Sequence, residues 1–217
     1  MAKSLKRLIK EGENVHLDFK FCISDSKKIA RTLSAFANTQ GGRLLIGVRD
    51  NGSIAGIRTD EEFYMIDTAS KIYCKPEIPV EIKQHIIEGK TILEIVVEQG
   101  SKKPYRAKNE DGRWIAYYRH HDQNLVANNI LMQIWRKEER PSGILIRFGK
   151  AENVLMEYLK NNESITFSGF KKIARIPPYR AEKILVNLLI CNVLEMEASE
   201  KGYRYRINTA TQPWDSE

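Results

Sequence analysis

The stretch from Ile29 to Gly56, IARTLSAFANTQGGRLLIGVRDNGSIAG, restricts the possible folds more than any other part of this 217-residue chain. Ile29, Leu33 and Phe36 recur at helical spacing with Ala30 and Ala37 beside them, which predicts a helix with an apolar stripe. Asn38-Thr39-Gln40-Gly41-Gly42 predicts its end, with at least one glycine at positive φ, because a helix C-terminus commonly needs the left-handed conformation. Leu44 to Val48 is a continuous apolar run of strand length, as a buried central strand requires. Asp50-Asn51-Gly52-Ser53 supplies tight-turn chemistry leading into a second short strand.

On either side of this core the chain reads as alternating elements. Ser4–Lys10 predicts a short amphipathic helix with Leu5, Leu8 and Ile9 inward. Val15–Phe21 alternates, which puts Val15, Leu17, Phe19 and Phe21 on one face and His16, Asp18 and Lys20 on a solvated one. Ser24 or Asp25 suits the cap of the Ile29 helix, and Thr59 or Asp60 that of a second helix, which must stop before Pro76. Val80–Ile87 and Thr91–Val97 flank Glu88-Gly89-Lys90 as a hairpin, and Tyr105–Arg119 turns at Asn109-Glu110-Asp111-Gly112. A helix from about Leu125 to Lys137 closes a first domain over residues 1–140.

Residues 141–149 read as a linker, from Pro141-Ser142-Gly143 onward. Residues 150–209 then run helix, short strand, helix capped by Ser168, turn at Pro177-Pro178, long helix to Cys191, and a hairpin of Val193–Glu197 with Tyr203–Ile207. That order resembles a winged helix-turn-helix. Residues 210–217 are a tail.

AFANTQGG followed by LLIGVRDNGSIAG, after the opening segment Glu13-Asn14-Val15-His16-Leu17-Asp18-Phe19-Lys20, resembles the Alba-like DNA-binding domain shared by bacterial regulators and the Schlafen proteins. The resemblance covers roughly Leu8 to Trp135. It implies an α/β (α+β) fold, an Alba/Schlafen-like mixed sheet with helices, in which Asn38, Gly41, Gly42, Gly47, Gly52 and Gly56 form the structural motif. It also implies a candidate catalytic site. Schlafen-type nucleases carry three acidic residues in places matched here by Glu13, Asp18 and Asp50, the second an aspartate where the family usually has glutamate. Convergent carboxylates can hold Mg²⁺ or Mn²⁺ and activate water against a phosphate. On the residues alone, Glu13 equally suits a loop charge, Asp18 a solvated strand face and Asp50 a turn. No ATP site is expected, since Gly41-Gly42 lacks the downstream Gly-Lys-Ser/Thr of a phosphate loop.

Candidate nucleic-acid contacts in the first domain are Lys20, Arg43, Arg49, Lys102, Lys103, Arg106 and Arg119, with Tyr105 and Tyr118 for stacking. Arg119 matches an arginine of the family; its neighbours His120 and His121 point to opposite faces of a strand and do not share a metal. In the second domain Tyr179, Arg180 and Lys183 open the long helix, where a recognition helix reaches the major groove, with Arg175 before it and Lys201 and Arg204 on the wing.

A balance of 35 Lys and Arg against 28 Asp and Glu, net +7, suits a polyanionic partner. The scattered Cys22, Cys74 and Cys191 form neither a disulfide framework nor a zinc motif and predict a reduced, cytoplasmic setting. Nothing resembles a signal peptide or a membrane span. The leading expectation is a bacterial DNA-binding transcriptional regulator. The alternatives are a divalent-metal-dependent endoribonuclease on Glu13, Asp18 and Asp50, and a non-catalytic protein-interaction adaptor. A single Alba-like copy supplies one wall of a groove, so a homodimer is expected, with Trp114, Tyr117 and Trp135 as candidate contacts.

Overall fold

The computed structural model describes residues 2–57, 59–139, 143, 148–199 and 202–209 of a mixed α+β chain. It divides into two compact units, Met1–Ala127 and Asn128–Glu217.

The first unit opens with α1 (Ala2–Glu11), β1 (Leu17–Lys20), α2 (Ser26–Asn38) and β2 (Gly42–Ile46). It continues with α3 (Glu61–Lys71), β3 (Cys74–Lys75), β4 (Val80–Ile87), β5 (Lys90–Val97), β6 (Arg106–Lys108), β7 (Trp114–His120) and β8 (Gln123–Val126). One sheet has the order β1-β2-β5-β4, with β1 parallel to β2 and the remaining pairs antiparallel; the other has the order β3-β6-β7-β8. Asp25 caps α2 by accepting from the Lys27 N–H. Ile29, Leu33 and Phe36 pack against Leu44, Ile46, Leu93 and Ile95 of the first sheet and Ala107 and Tyr117 of the second. A helix held between two sheets is buried nearly all round, so Thr32, Ser34 and Asn38 are interior as well. On the opposite face of the first sheet, Leu5 and Ile9 of α1 pack with Leu17, Phe19, Leu45 and Ile92.

The end of α2 follows expectation. Thr39 and Gly41 N–H groups both donate to Phe36 O, and Gly41 has φ 73°. Gly42 has a different reason to lack a side chain: a Cβ there would lie 2.4 Å from the Phe36 ring. The strand expected over Val15–Phe21 is shorter, because Asn14 and Leu17 exchange backbone hydrogen bonds of 2.9 and 3.3 Å and close a turn through Val15 and His16.

The second unit contains α4 (Asn129–Glu139), α5 (Lys150–Asn161), β9 (Ile165–Thr166), α6 (Phe167–Ala174), α7 (Pro178–Ile190), β10 (Leu194–Ser199) and β11 (Gly202–Ile207). Its sheet has the order β10-β11-β9. Phe170, Leu155, Leu185 and Tyr205 form its core together with Ile130 of α4. The helix expected from Leu125 therefore starts later, since Leu125 and Val126 lie in β8 and Asn128 caps α4 by accepting from the Leu131 N–H at 2.8 Å. It packs on α7 of its own unit, where Gln133 and Lys137 donate to Glu182 and Asn187 at 3.1 and 2.7 Å. Thr166, rather than the expected Ser168, caps α6, accepting from the Gly169 N–H. Most of the expected linker and the whole tail 210–217 lie outside the described residues.

Candidate nucleic-acid interface

Two of the three expected acids come together. Glu13 precedes the Asn14–Leu17 turn and accepts the Phe19 N–H at 2.8 Å, which folds its carboxylate back along β1. Burial raises its pKa above the usual glutamate value, and a hydrogen bond and like charge from Asp18 add to the rise, against the Phe19 N–H and Lys20. Asp18 is not on a solvated strand face; it is 3% exposed. Its Oδ1 accepts Arg119 Nη2 at 3.0 Å. Its Oδ2 lies 2.9 Å from Lys20 Nζ, a Coulombic contact without hydrogen-bond alignment. Asp50 sits in the exposed turn after β2. Among the described residues no group of three or more His, Cys, Asp or Glu side chains converges to hold a metal ion. With Asp18 already facing two cations and Asp50 elsewhere, these residues do not fit the expected Mg²⁺ or Mn²⁺ site.

Arg119 is the residue for which sequence reasoning is most clearly corrected. Its side chain is 1% exposed, so no surface of it faces a phosphate. Besides Asp18 it donates to Asn14 O at 3.2 Å, Leu17 O at 3.1 Å and Asn124 Oδ1 at 3.0 Å, and its guanidinium stacks over the Phe36 ring at 5.3 Å. β7 thereby anchors the turn before β1. Removing either partner of such a buried pair costs about 3–5 kcal/mol, because the other charge is left uncompensated.

The remaining basic candidates of the first unit scatter. Lys20 is held by Asp18 and by Phe19 O. Arg43 pairs at 3.0 Å with Glu94, a 4% exposed carboxylate that also meets His85 Nε2 at 2.7 Å. Arg49 is exposed and covers the Phe21 ring. Lys102 is exposed, while Lys103 bonds Thr39 O at 3.3 Å and Arg106 is half-buried on β6. Tyr105, expected to stack on bases, is buried, and Tyr118 is half-buried. The rings of His120 and His121 meet edge to face with centroids 4.3 Å apart, so they do not point to opposite faces. In the first unit sequence reasoning passed over cations seated on rings, among them Lys27 on Tyr73, Arg31 on Tyr117 and Lys108 on Trp114. Residues distant in sequence form these pairs, apart from Lys108 and Trp114, whose hairpin register carried the only local signal.

The motif residues are structural. Asn38 Nδ2 donates to Tyr105 O and Tyr117 O, and Asn38 Oδ1 accepts the Tyr105 N–H, each at 2.7 Å. The turn at Gly52 closes as expected, with the Gly52 N–H on Arg49 O and the Arg49 N–H on Ser53 O. Gly47 and Gly56 are joined by a backbone hydrogen bond of 2.9 Å, and a Cβ on Gly47 would strike the Gly56 backbone.

In the second unit the candidates at and just before the start of α7 adjoin one another in sequence. Arg175, Tyr179, Arg180 and Lys183 are all exposed, Tyr179 at 73%. Pro178 starts α7 and the inward stripe of Ile184, Leu185 and Leu188 fixes its rotation. Arg204 donates to Ser164 Oγ at 2.8 Å beside β9. Lys201 lies outside the described residues.

Comparison with known proteins gives the following. The family described as Schlafen, AlbA_2 matches residues 13–128. No curated protein matches the chain. Among solved structures, the DIP2311 protein of Corynebacterium diphtheriae is similar at 17% identity and TM-score 0.44, over 58% of this chain and 28% of that one. This chain thus spans little more than a quarter of that relative's length. The N-terminal domain of a RecG-related candidate ATP-dependent DNA helicase from Nitrosomonas europaea is similar at 23% identity and TM-score 0.40, over 58% of this chain and 94% of that one. Among the described residues no helix is long and apolar enough to cross a membrane.

Proposed function

Because the chain belongs to the Schlafen, AlbA_2 family, we propose that it is a nucleic-acid-binding protein, a bacterial DNA-binding transcriptional regulator acting in the cytoplasm. Its second unit is a winged helix-turn-helix that reads duplex DNA through α7. The observation carrying this reading is the exposed cluster of Tyr179, Arg180 and Lys183 on the first two turns of α7. A three-residue turn separates α6 from that end. The tie of Glu182 and Asn187 to α4 leaves the cluster open to solvent. Recognition helices contact base edges from their N-terminal residues, and two cations with a tyrosine suit phosphates and a groove floor. The β10–β11 hairpin, with Arg204 on β11, serves as the wing.

Binding without cutting is the expected activity, since Asp18 is neutralised by Arg119 and Lys20 and, among the described residues, no third acid joins Glu13 and Asp18. Pairing of two chains would present two α7 helices to two half-sites. Of the apolar candidates for that contact, Tyr117 and Trp135 are buried within the chain, and Trp114 alone is exposed.

Fluorescence anisotropy with random duplex DNA and with structured RNA, each with and without Mn²⁺, tests this. Duplex binding that weakens about tenfold or more in Arg180→Ala/Lys183→Ala, with intact strands recovered in Mn²⁺, is expected. Cleavage of the RNA lost in Asp18→Asn would return the nuclease reading. Absence of affinity for any polyanion would leave an adaptor that contacts protein.

A further inference from the structure

The second unit carries an open pocket of about 360 Å³ whose wall includes the exposed Asn129 and Ser168, the half-buried Phe167, Glu182 and Tyr203 and the buried Tyr205. That volume lies within the roughly 300–1,000 Å³ usual for small-ligand sites. The composition of its wall follows from secondary structure. Alternation along β11 sends Tyr203 and Tyr205 inward and leaves Arg204 and Arg206 outward, on Ser164 and Glu195. Glu182 enters from α7, with Oε2 accepting Gln133 of α4. The lining therefore carries one formal charge, a carboxylate, and no cation. Lys171 covers the Phe167 ring at 5.3 Å and is not among the residues lining the pocket. α4 and α6 both begin at this wall, and their N-terminal dipoles favour anions. Their side-chain caps, Asn128 and Thr166, already take the Leu131 and Gly169 N–H groups, so the full charge on Glu182 outweighs what remains. Burial pushes the Tyr205 hydroxyl above the usual tyrosine value, opposed by a hydrogen bond with Asn128, and Tyr203 and then Glu182 add to the rise.

We propose that this cavity binds a small organic ammonium ion, a primary amine on an apolar body. Its NH₃⁺ meets the Glu182 carboxylate, and its body lies against the Tyr203 ring. A cation near an aromatic face and a charge-assisted hydrogen bond in a half-buried site act in the same direction. The site is independent of what α7 binds on its outer face, so its test does not depend on DNA affinity.

The experiment titrates benzylamine, benzyl alcohol and benzoate into the full chain and follows backbone amide resonances. Benzylamine is expected to shift Asn129, Ser168 and Tyr203 saturably, and the alcohol and the carboxylate are not. E182Q keeps an oxygen for Gln133 and is expected to weaken benzylamine at least about tenfold. Should E182Q lose its fold, Gln133→Ala decides instead: it leaves the charge in place and takes away a competing donor, so amine binding holds or tightens. Equal saturation by benzoate or benzyl alcohol, unchanged affinity in a folded E182Q, weakened affinity in Gln133→Ala, or no saturation by benzylamine each overturns the assignment.

Discussion

Asn38 shows how one side chain can order two strands. Its amide serves Tyr105 N–H, Tyr105 O and Tyr117 O from the last turn of α2, at a site 2% exposed. Ser34 Oγ also reaches Tyr105 O, so Asn38→Ala strands chiefly the Tyr105 N–H and Tyr117 O. At about 1–3 kcal/mol for each buried group left unpaired, Asn38→Ala is expected to cost roughly 2–6 kcal/mol in urea unfolding. An unchanged midpoint would mean water replaces the amide. Glu13 gives a pH prediction of definite sign. Its folded pKa is raised above 4.5 first by burial, so the folded state holds its proton more tightly than the unfolded chain does. The resulting stability is complete below 4.5 and disappears as pH rises through the folded value. Glu13→Gln keeps an acceptor for the Phe19 N–H and removes the charge. Denaturant midpoints across mildly acidic pH should fall with pH in the parent beyond the trend of Glu13→Gln, and parallel curves would refute it. Asn38 could not be read locally: the sequence showed an asparagine before two glycines, while its partners lie 67 and 79 residues away. Glu13 meets the Phe19 N–H only 6 residues on, but an acid before a strand did not show that its carboxylate is buried.

Where α2 meets β2, two adjacent glycines are required for different reasons, and valine at either position tests both. Gly41 has φ 73° and its Cβ would lie 2.6 Å from Val97 O, so Gly41→Val meets backbone strain and a clash with an immobile atom. Gly42→Val forces the buried Phe36 ring to move. Each is expected to destabilise by about 1–3 kcal/mol, with Gly41→Val the worse, read as a lowered thermal midpoint. The helix end, the buried run at Leu44 and the hairpins at Gly52 and Gly89 were legible because each rests on chemistry within a few residues. The solvated face assigned to Asp18 was not, since alternation reports which side a residue takes and not what covers that side. Arg119 covers it from a strand 101 positions later. α4 was misassigned for a related reason. Ile130 and Ile134 pack in the core of the second unit, and Gln133 and Lys137 donate to partners on α7 that lie 49 and 50 residues away.

At the scale of the whole chain, the two units have separate cores, one around Phe36 and one around Phe170. The excess of positive charge on the sequence said nothing about which unit meets a polyanion. In the first unit the expected cations are divided among buried pairs, backbone carbonyls and isolated surface positions; in the second, Tyr179, Arg180 and Lys183 share one exposed helix end. Duplex affinity is therefore expected to reside in the second unit. Each phosphate neutralised contributes about −0.9 to the slope of log affinity against log salt, so removing two phosphate-facing cations lowers its magnitude by roughly 1.8. Arg180→Ala/Lys183→Ala in the full chain should show that reduction, while Lys102→Ala/Lys103→Ala should leave the slope within error. Anisotropy titrations with one duplex at several salt concentrations provide the measurement. The reverse pattern, with the lysine pair changing the slope and the α7 pair not, would place the phosphate contacts in the first unit and refute α7 as the reading helix.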